Sequence, residues 1–197
     1  MTYPVRLDLH YGHNLSSASC IITRGILLNS MALLDILEFP DARLRKKAKP
    51  IINVDGKIIS LAEQMLETMY QAPGIGLAAT QIDVHLQLLV VDVSENKDQP
   101  IVLINPSILN SEGEIETSEG CLSIPGFYEP VIRPESITFE AVGLDGEVFK
   151  KDASGLLAVC IQHEMDHLQG KLFVDYVSST KRLLIRKKLF KQQKLRA

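Results

Sequence analysis

The stretch Gln162-His163-Glu164-Met165-Asp166-His167 decides what this chain folds around. On an α-helix, positions i and i+4 lie on one face, so the imidazoles of His163 and His167 can bind one metal ion. Glu164 can then reach a water on that ion and act as a general base. The alternative is a helix that carries histidine and glutamate on a solvent-facing side.

The residues before this stretch favour the metal site. Residues 156–161 are apolar almost all round, which predicts a buried helix. Buried imidazoles and carboxylates are costly without partners, and a metal ion would supply one. We predict that Asp152 or Ser154 caps the start of this helix and that Gly170 ends it.

Size and composition are those of an ordinary globular protein. The chain has 197 residues, of which 46% are hydrophobic and 23% are charged, and it fits one domain. It has only three cysteines, and such a small, odd number argues against a disulfide framework and suits a reducing compartment. No stretch approaches the roughly 18 apolar residues of a membrane helix. We therefore expect a cytoplasmic protein with neither a membrane nor DNA as a partner.

Charge divides the chain unevenly. Residues 181–197 carry eight bases and no acid, whereas the remainder carries 13 bases against 24 acids. A basic tail on an acidic body suggests a polyanionic partner for the tail.

We expect a basic helix over residues 178–197, a catalytic domain over residues 31–177, and a leader over residues 1–30. The leader would be disordered or an upstream-start extension, because Met31 reads as a fresh start; a transit or signal segment is disfavoured by its short, interrupted apolar runs.

Helices and strands are expected in separate blocks. The capping box Ser60-Leu61-Ala62-Glu63 predicts the start of a helix that ends near Pro73. The last helix is expected to start at Ser178. Runs of alternating or branched apolar residues predict strands, with a hairpin turn at Asp145-Gly146. These strands cover residues 86–93, 100–109, 112–119, 137–142 and 147–150. Such blocks predict the α+β class.

Two histidines do not complete a catalytic metal site, which usually has three protein ligands and an open position. Cys121 follows a predicted strand and would complete a Cys-His-His set. A lone cysteine is more often a small buried hydrophobe, a reading that suits Cys160 better. In residues 74–81 two glycines let the backbone approach a ligand closely, and Gln81 offers an amide donor; a structural turn is the alternative there.

Three motifs together resemble the peptide deformylase family. The chain reads GIGLAATQ at 74–81, EGCLS at 119–123 and HEMDH at 163–167, where the family has GxGLAAxQ, EGCLS and HExxH in this order. The resemblance extends from about Leu33 to the C-terminus. It implies an α+β fold with antiparallel sheets packed around the helix that carries HExxH, plus a helix in the N-terminal half and a C-terminal helix. It also implies a hydrolase that removes the N-formyl group from the initiator methionine of nascent polypeptides, giving formate and a free N-terminal Met.

The resemblance assigns roles to individual residues. Cys121, His163 and His167 would hold one divalent metal ion, natively Fe(II), which zinc or nickel can replace. Glu164 would be the general acid and base. Gln81 and the backbone N–H of Leu122 would stabilise the oxyanion. The residues expected to bind substrate are Ile75, Gly76, Glu119, Gly120, Leu156, Val159 and Cys160, with the two glycines against the peptide backbone.

Supporting roles are expected nearby. We expect Arg133 to pair with Glu119 and brace the Cys121 loop, and residues 126–130 to shape the entrance to the cleft. Asp166 would orient a ligand histidine, or it is simply a surface acid. The basic helix would dock on the ribosome.

Two other functions compete with deformylation of N-formyl-Met peptides. A zinc endopeptidase also carries HExxH, but it usually takes a third ligand from a downstream histidine or carboxylate, for which Asp175 is available. The second is a non-catalytic, metal-stabilised module that binds the ribosome, which would leave Glu164 and Gln81 without a purpose.

Overall fold

The computed structural model describes residues 33–196. Within them lie three α-helices and seven strands. The predicted leader, residues 1–30, lies outside this range. The helices are α1 (Gly56–Gln71), α2 (Gly155–Leu168) and α3 (Ser179–Arg196). The strands are β1 (Gly76–Ala78), β2 (Leu88–Val91), β3 (Ile101–Glu112), β4 (Ile115–Gly120), β5 (Tyr128–Arg133), β6 (Ser136–Val142) and β7 (Val148–Ser154).

The strands form two antiparallel sheets, which confirms the α+β class. One sheet has five strands in the order β1-β2-β3-β6-β7, and the other is the β4-β5 hairpin. Helix α2 packs on the five-stranded sheet, where Ile161 meets Leu89, Leu103 and Phe139 in one buried cluster. Most of α2 is buried, as its apolar sequence predicts. The central helix is therefore enclosed by sheet, and its polar residues must find partners inside the protein.

Helix α1 begins one turn earlier than predicted, so the capping box at Ser60 is wrong. The N-cap is Asp55, whose carboxylate accepts hydrogen bonds from the backbone N–H groups of Lys57 (2.9 Å) and Ile58 (3.1 Å). Asp is as good an N-cap as Ser, and the earlier start lets Ile58 pack against the core. The helix ends at Gln71, near the predicted stop at Pro73.

At the start of α2 the N-cap position is occupied by Ser154, although its side chain makes no capping hydrogen bond. The alternative cap, Asp152, is wrong, because that residue lies in β7 and accepts a hydrogen bond from the Thr138 hydroxyl at 2.7 Å. Gly170 follows the helix with φ +74°, the left-handed conformation that ends helices. Its missing Cβ also makes room for the backbone of Arg45.

The sequence analysis did not predict strands β1 and β5. In β5 the buried positions are Glu129, Val131 and Arg133, whereas Tyr128 and Ile132 are exposed. This inverts the alternation of apolar and polar residues by which strands are recognised. Strand β1 has only three residues, which is too short for a periodic pattern.

The C-terminal helix α3 starts at Ser179, one residue after the predicted start at Ser178. Its Ile185 and Leu189 are buried in a cluster with Leu37 and Phe173, so one stripe of this basic helix packs on the body. No helix within residues 33–196 has the length and apolarity to cross a membrane.

Candidate active site

Cys121, His163 and His167 come together although the cysteine is far from the histidines in sequence. Each offers one ligand atom, and these atoms lie within 4.8 Å of one another. Cys121 Sγ is 3.2 Å from His167 Nε2, and both imidazoles are buried. A thiolate with two imidazoles suits Zn, Fe, Ni or Co. Three candidate ligands beside a cleft fit a catalytic metal site, which keeps a position open, better than a closed structural one.

Two elements place these ligands. Helix α2 carries His163 and His167 one turn apart, and β4 ends at Gly120, directly before Cys121. The loop after Cys121 is a tight turn in which the N–H of Ile124 donates to the Cys121 carbonyl at 2.9 Å. The protein therefore holds the thiol through backbone geometry on one side and the imidazoles through a helix on the other.

The other residues considered for the third ligand are occupied elsewhere. Cys160 donates to the Ile75 carbonyl at 3.4 Å, and burial raises the pKa of its thiol. It is therefore the small buried residue that the sequence suggested. The Asp175 carboxylate accepts from Arg182 at 3.2 Å and also pairs with Arg45. The downstream ligand that an endopeptidase would need is thus not in the Cys121 group.

His163 is oriented by Glu119. Its Nδ1 lies 2.8 Å from Glu119 Oε2, so Nδ1–H donates to the carboxylate and Nε2 is left to bind a metal. Arg133 pairs with the same carboxylate through Nε and, at 2.9 Å, through Nη2. The predicted Arg133–Glu119 pair is therefore confirmed. With its carboxylate so engaged, Glu119 would meet a substrate only through its backbone.

Burial and hydrogen bonds together set the protonation of the site. Burial raises the pKa of Glu119, but the hydrogen bonds from His163 and Arg133 outweigh it and lower that pKa, so the group is a carboxylate. Burial lowers the pKa of His163, yet hydrogen bonds to Cys121 and Glu119 raise it overall. Burial lowers the pKa of His167 well below its usual range. His167 is therefore neutral, as a metal ligand must be.

Glu164 is buried beside the histidines, and burial raises its pKa to about 7. Its Oε2 has no hydrogen-bond partner among the protein atoms of the described residues. Its Oε1 lies too close to the position of a Cβ on Gly76 for that atom to fit, and the Cys160 sulfur is 2.8 Å from the same position. Gly76 is therefore needed to make room for the Glu164 carboxylate.

Gln81 is held with its amide group towards the thiol. Its Oε1 accepts from the Ala78 N–H at 2.8 Å, and its Nε2 donates to Ser123 Oγ at 3.1 Å and to Cys121 Sγ at 3.6 Å. The short 3-10 helix Ala79–Ile82 sets this position. The motif at 74–81 is therefore part of the site and more than a structural turn.

A cleft of about 580 Å³ opens beside these groups. Of the segment 126–130 that was expected to shape the entrance, residues 126–128 line the cleft, whereas Glu129 and Pro130 are not among its lining residues. Gly74, the first glycine of the 74–81 motif, also lines it. Ile36 and Thr117 line it as well and were missed, because nothing local in the sequence marks them. All of the residues expected to bind substrate lie in its wall: Ile75, Gly76, Glu119, Gly120, Leu156, Val159 and Cys160, together with Leu122.

A model of the polypeptide deformylase family matches residues 33–183. The chain belongs to the polypeptide deformylase family. The match covers all three motifs, so the resemblance of the deformylase motifs is confirmed.

Individual deformylases agree with the family match. The peptide deformylase of Teredinibacter turnerae is 61% identical over 168 residues, which cover 85% of this chain and 100% of that protein. That of Saccharophagus degradans is 60% identical over 165 residues, covering 83% of this chain and 96% of that protein. The crystal structure of the Legionella pneumophila peptide deformylase aligns with a TM-score of 0.80 at 48% identity, over 84% of this chain and 98% of that one.

Family membership makes the protein a hydrolase that removes the N-formyl group from nascent polypeptides. Polypeptide deformylases are metal-dependent, and the group of Cys121, His163 and His167 can bind a metal ion. An Ehrlichia chaffeensis deformylase that was solved in complex with actinonin aligns with a TM-score of 0.80 at 37% identity, over 82% of this chain and 98% of that one.

Proposed function

We propose that Cys121, His163 and His167 hold one divalent cation and that Glu164 carries the proton during removal of the formyl group. The observation that carries this proposal is the convergence of one sulfur and two imidazoles beside a buried carboxylate, at the wall of an open cleft. A cation bound there would supply Lewis acidity, which makes water acidic enough to yield a nucleophile near neutral pH.

Glu164 accepts the proton of the attacking water and later passes it to the amine nitrogen of the methionine. The carbon–nitrogen bond breaks in that second step, which releases formate and a free amino terminus. A carboxyl with a pKa of about 7 suits a group that must both accept and donate a proton at neutral pH. The partnerless Oε2 leaves Glu164 free to meet the water.

Gln81 and the Leu122 N–H donate to the oxygen of the formyl group as negative charge develops on it. The Gln81 amide keeps its contacts with Ala78 and Ser123. The N–H that makes the long 3.6 Å contact to the Cys121 sulfur donates to the oxyanion instead. Because two contacts already fix the amide plane, little reorganisation is needed during the reaction.

The methionine side chain occupies the apolar part of the cleft. Ile75 and Leu156 are large apolar side chains that remain 43% and 54% exposed, and Val159 and Cys160 line the same cleft. A bound unbranched thioether would cover this apolar surface, which favours binding. Gly76 and Gly120 let the backbone of the substrate approach.

Fe(II) is the native cation of this proposal, with zinc or nickel able to replace it. The donor set supports each of these ions, and the family resemblance favours iron. A ferrous site with a thiolate ligand is sensitive to oxygen. Protein purified without air should contain about one iron per chain by elemental analysis, and exposure to air should remove both iron and activity.

The decisive experiment is an anaerobic assay of formyl-Met-Ala hydrolysis with wild type and Glu164→Ala. The wild type should release formate, and the variant should lose about 10²–10⁴ in rate while it keeps its metal. Metal content without turnover would favour the non-catalytic module. Cleavage of unformylated peptides would favour the endopeptidase.

We also propose that α3 docks the protein on the ribosome, where nascent chains emerge in the cytoplasm. Three of its eight bases pair with acids of the body: Lys181 with Glu129, Arg182 with Asp175 and Arg196 with Glu38. The other five form no ion pair within residues 33–196. They are Arg186, Lys187, Lys188, Lys191 and Lys194, and all are exposed.

Charge reversal tests the docking better than truncation, because truncation would uncover the apolar surface beneath Ile185 and Leu189. Lys187→Glu/Lys191→Glu should abolish salt-sensitive co-sedimentation with ribosomes, since phosphate contacts dominate such binding. Lys150→Glu/Lys151→Glu makes the same change of charge on exposed positions of β7 and should bind normally. Equal binding by both variants would refute docking through α3.

The domain boundaries stay a proposal as well: a leader over residues 1–30, a catalytic domain over 31–177 and the basic helix over 178–197. A protein that starts at Met31 should retain full deformylase activity. A loss of turnover on formyl-Met-Ala would assign the leader a catalytic role.

A further inference from the structure

The guanidinium of Arg133 lies behind the metal group and is only 5% exposed. Two of its nitrogens pair with Glu119, and the third, Nη1, donates to Asp166 Oδ2 at 2.9 Å. Arg133 therefore joins a carboxylate that touches a ligand histidine to one that does not. Asp166 makes no hydrogen bond to either histidine within residues 33–196, so any orienting effect on His163 must pass through Arg133 and Glu119.

Tyr176 completes this arrangement from the other side. Its hydroxyl donates to Asp166 Oδ2 at 2.8 Å, and its ring lies 5.1 Å from the Arg133 guanidinium carbon. Burial raises the pKa of Tyr176 to about 12, so the hydroxyl remains a donor at any physiological pH. A continuous path of hydrogen bonds thus runs from Tyr176 through Asp166, Arg133 and Glu119 to Nδ1 of His163.

The charges along this path do not cancel. Glu119 and Asp166 bring two negative charges to the one positive charge of Arg133, and all three side chains are buried or nearly so. An unbalanced buried charge is costly unless a counter-charge is close. A cation on the far side of the His163 ring would supply that counter-charge in place of a second proton on the imidazole, and the negative charge would in turn make the imidazole a stronger ligand.

We propose that Asp166 and Tyr176 are positioning residues for the metal centre, which fix His163 and strengthen cation binding through Arg133 and Glu119. The proposal rests on the metal group of the proposed function. Neither residue touches the cation or the substrate. Tyr176 is half exposed, so removal of its hydroxyl alone should leave the fold intact.

The test uses Tyr176→Phe and Asp166→Asn in protein loaded with Co(II). Chelator competition should give a cation affinity about 10- to 100-fold weaker for Asp166→Asn, as is typical when a group behind a metal ligand is lost. Tyr176→Phe should weaken the affinity less, because it changes no charge. The visible absorption spectrum of the bound cobalt should shift in both variants, since the ring of His163 is held differently.

A matched control comes from a second tyrosine–aspartate hydrogen bond. The Tyr70 hydroxyl donates to Asp92 Oδ2 at 2.6 Å, but this pair lies outside the path to His163. Tyr70→Phe therefore removes the same kind of hydrogen bond, and it should leave the cobalt affinity and spectrum as in the wild type. The thermal midpoint of the metal-free protein, measured for every variant, reports any loss of folding.

The outcomes separate the two proposals. A wild type that binds no cobalt would overturn the metal group itself, and with it the proposed function. A wild type that binds cobalt, with both variants matching it in affinity and spectrum, would overturn only the positioning role. Variants whose metal-free midpoint falls while the cobalt affinity and spectrum stay unchanged would make the network purely structural. If Asp166→Asn does not fold, the spectrum and affinity of Tyr176→Phe decide.

Discussion

At the scale of single residues, position 76 must be glycine for a reason that the motif does not show. The sequence suggested that a glycine there lets a substrate backbone approach. The structure adds that the Glu164 carboxylate and the Cys160 sulfur lie too close to this position for a Cβ to fit. Gly76 therefore shapes the general base as well as the cleft.

Gly76→Ala should displace the Glu164 carboxylate and lower the turnover number by about 10²–10⁴, the usual contribution of a positioned acid–base group. The metal content should not change, because the atoms nearest to a Cβ at this position belong to Glu164 and Cys160 and not to a proposed ligand. Steady-state kinetics on formyl-Met-Ala with elemental analysis checks both points. Gly56→Ala is the control, since a Cβ there meets nothing within 4 Å; equal activity of the two variants would contradict this account.

Gln81→Ala should lower the turnover number by about 10²–10³, the typical cost of one oxyanion donor. It should also destabilise the protein by about 1–3 kcal/mol, because the buried Ala78 N–H loses its acceptor. Kinetics and urea unfolding measure the two effects separately. Gln71→Ala, at the exposed end of α1, should change neither, and unchanged turnover in Gln81→Ala would remove this residue from the oxyanion site.

At the scale of elements, the local signals identified all three helices and five of the seven strands, and they were less reliable about where each element begins. The predicted strands at 86–93, 100–109, 112–119, 137–142 and 147–150 each overlap an observed strand, although four of the observed strands extend beyond the predicted range. Helix α1 instead begins after Asp55, an N-cap that the sequence analysis did not recognise because the motif at Ser60 fitted a helix start. A capping box in sequence cannot exclude a second cap one turn upstream, and burial of Ile58 favours the longer helix.

The two caps make opposite predictions for stability. Asp55→Ala should cost about 0.5–2 kcal/mol, as the loss of an N-cap usually does, because the N–H groups of Lys57 and Ile58 lose their acceptor. Ser60→Ala should be almost neutral, since Ser60 lies inside the helix. Urea unfolding of both variants checks this. The reverse order of stabilities would restore Ser60 as the cap.

At the scale of the whole molecule, ion pairs fasten the two ends of α3 to the body. Arg182 meets Asp175 at 3.2 Å near its start, and Arg196 meets both oxygens of Glu38 at 2.8 and 2.6 Å near its end. Burial raises the pKa of Asp175, but hydrogen bonds from Arg45 and the Leu172 N–H lower it overall. Asp175 therefore links α3 to the turn that precedes Tyr176.

Because the folded pKa of Asp175 is lowered, its stabilising effect is fully present above its unfolded pKa, roughly 3.9, and is lost as pH falls through the folded value. Asp175→Asn should therefore lower stability most at pH 5–7, and the difference from wild type should shrink as the solution is made more acidic. Urea unfolding between pH 3 and 7 measures this. Glu114→Gln, an exposed acid without an ion pair in the described residues, should show no such dependence; a constant difference for Asp175→Asn would contradict the argument.

The sequence by itself determined the chemistry and the class of the fold. The spacing of His163, Glu164 and His167 is a property of one helix turn, so it can be read without knowing the rest of the chain. The motifs around Gln81 and Cys121 identified the remaining groups by resemblance. The alternation of apolar residues placed most strands, because it follows from burying one face of a sheet.

Folding in three dimensions settled how these pieces meet. The approach of Cys121 to the imidazoles depends on the β4-β5 hairpin, whose second strand buries Glu129 and Arg133 where a pattern of apolar residues would be expected. The path from Tyr176 to His163 joins four segments that are separate in sequence. Such contacts depend on strand register and side-chain packing between distant segments, and no local periodicity encodes them.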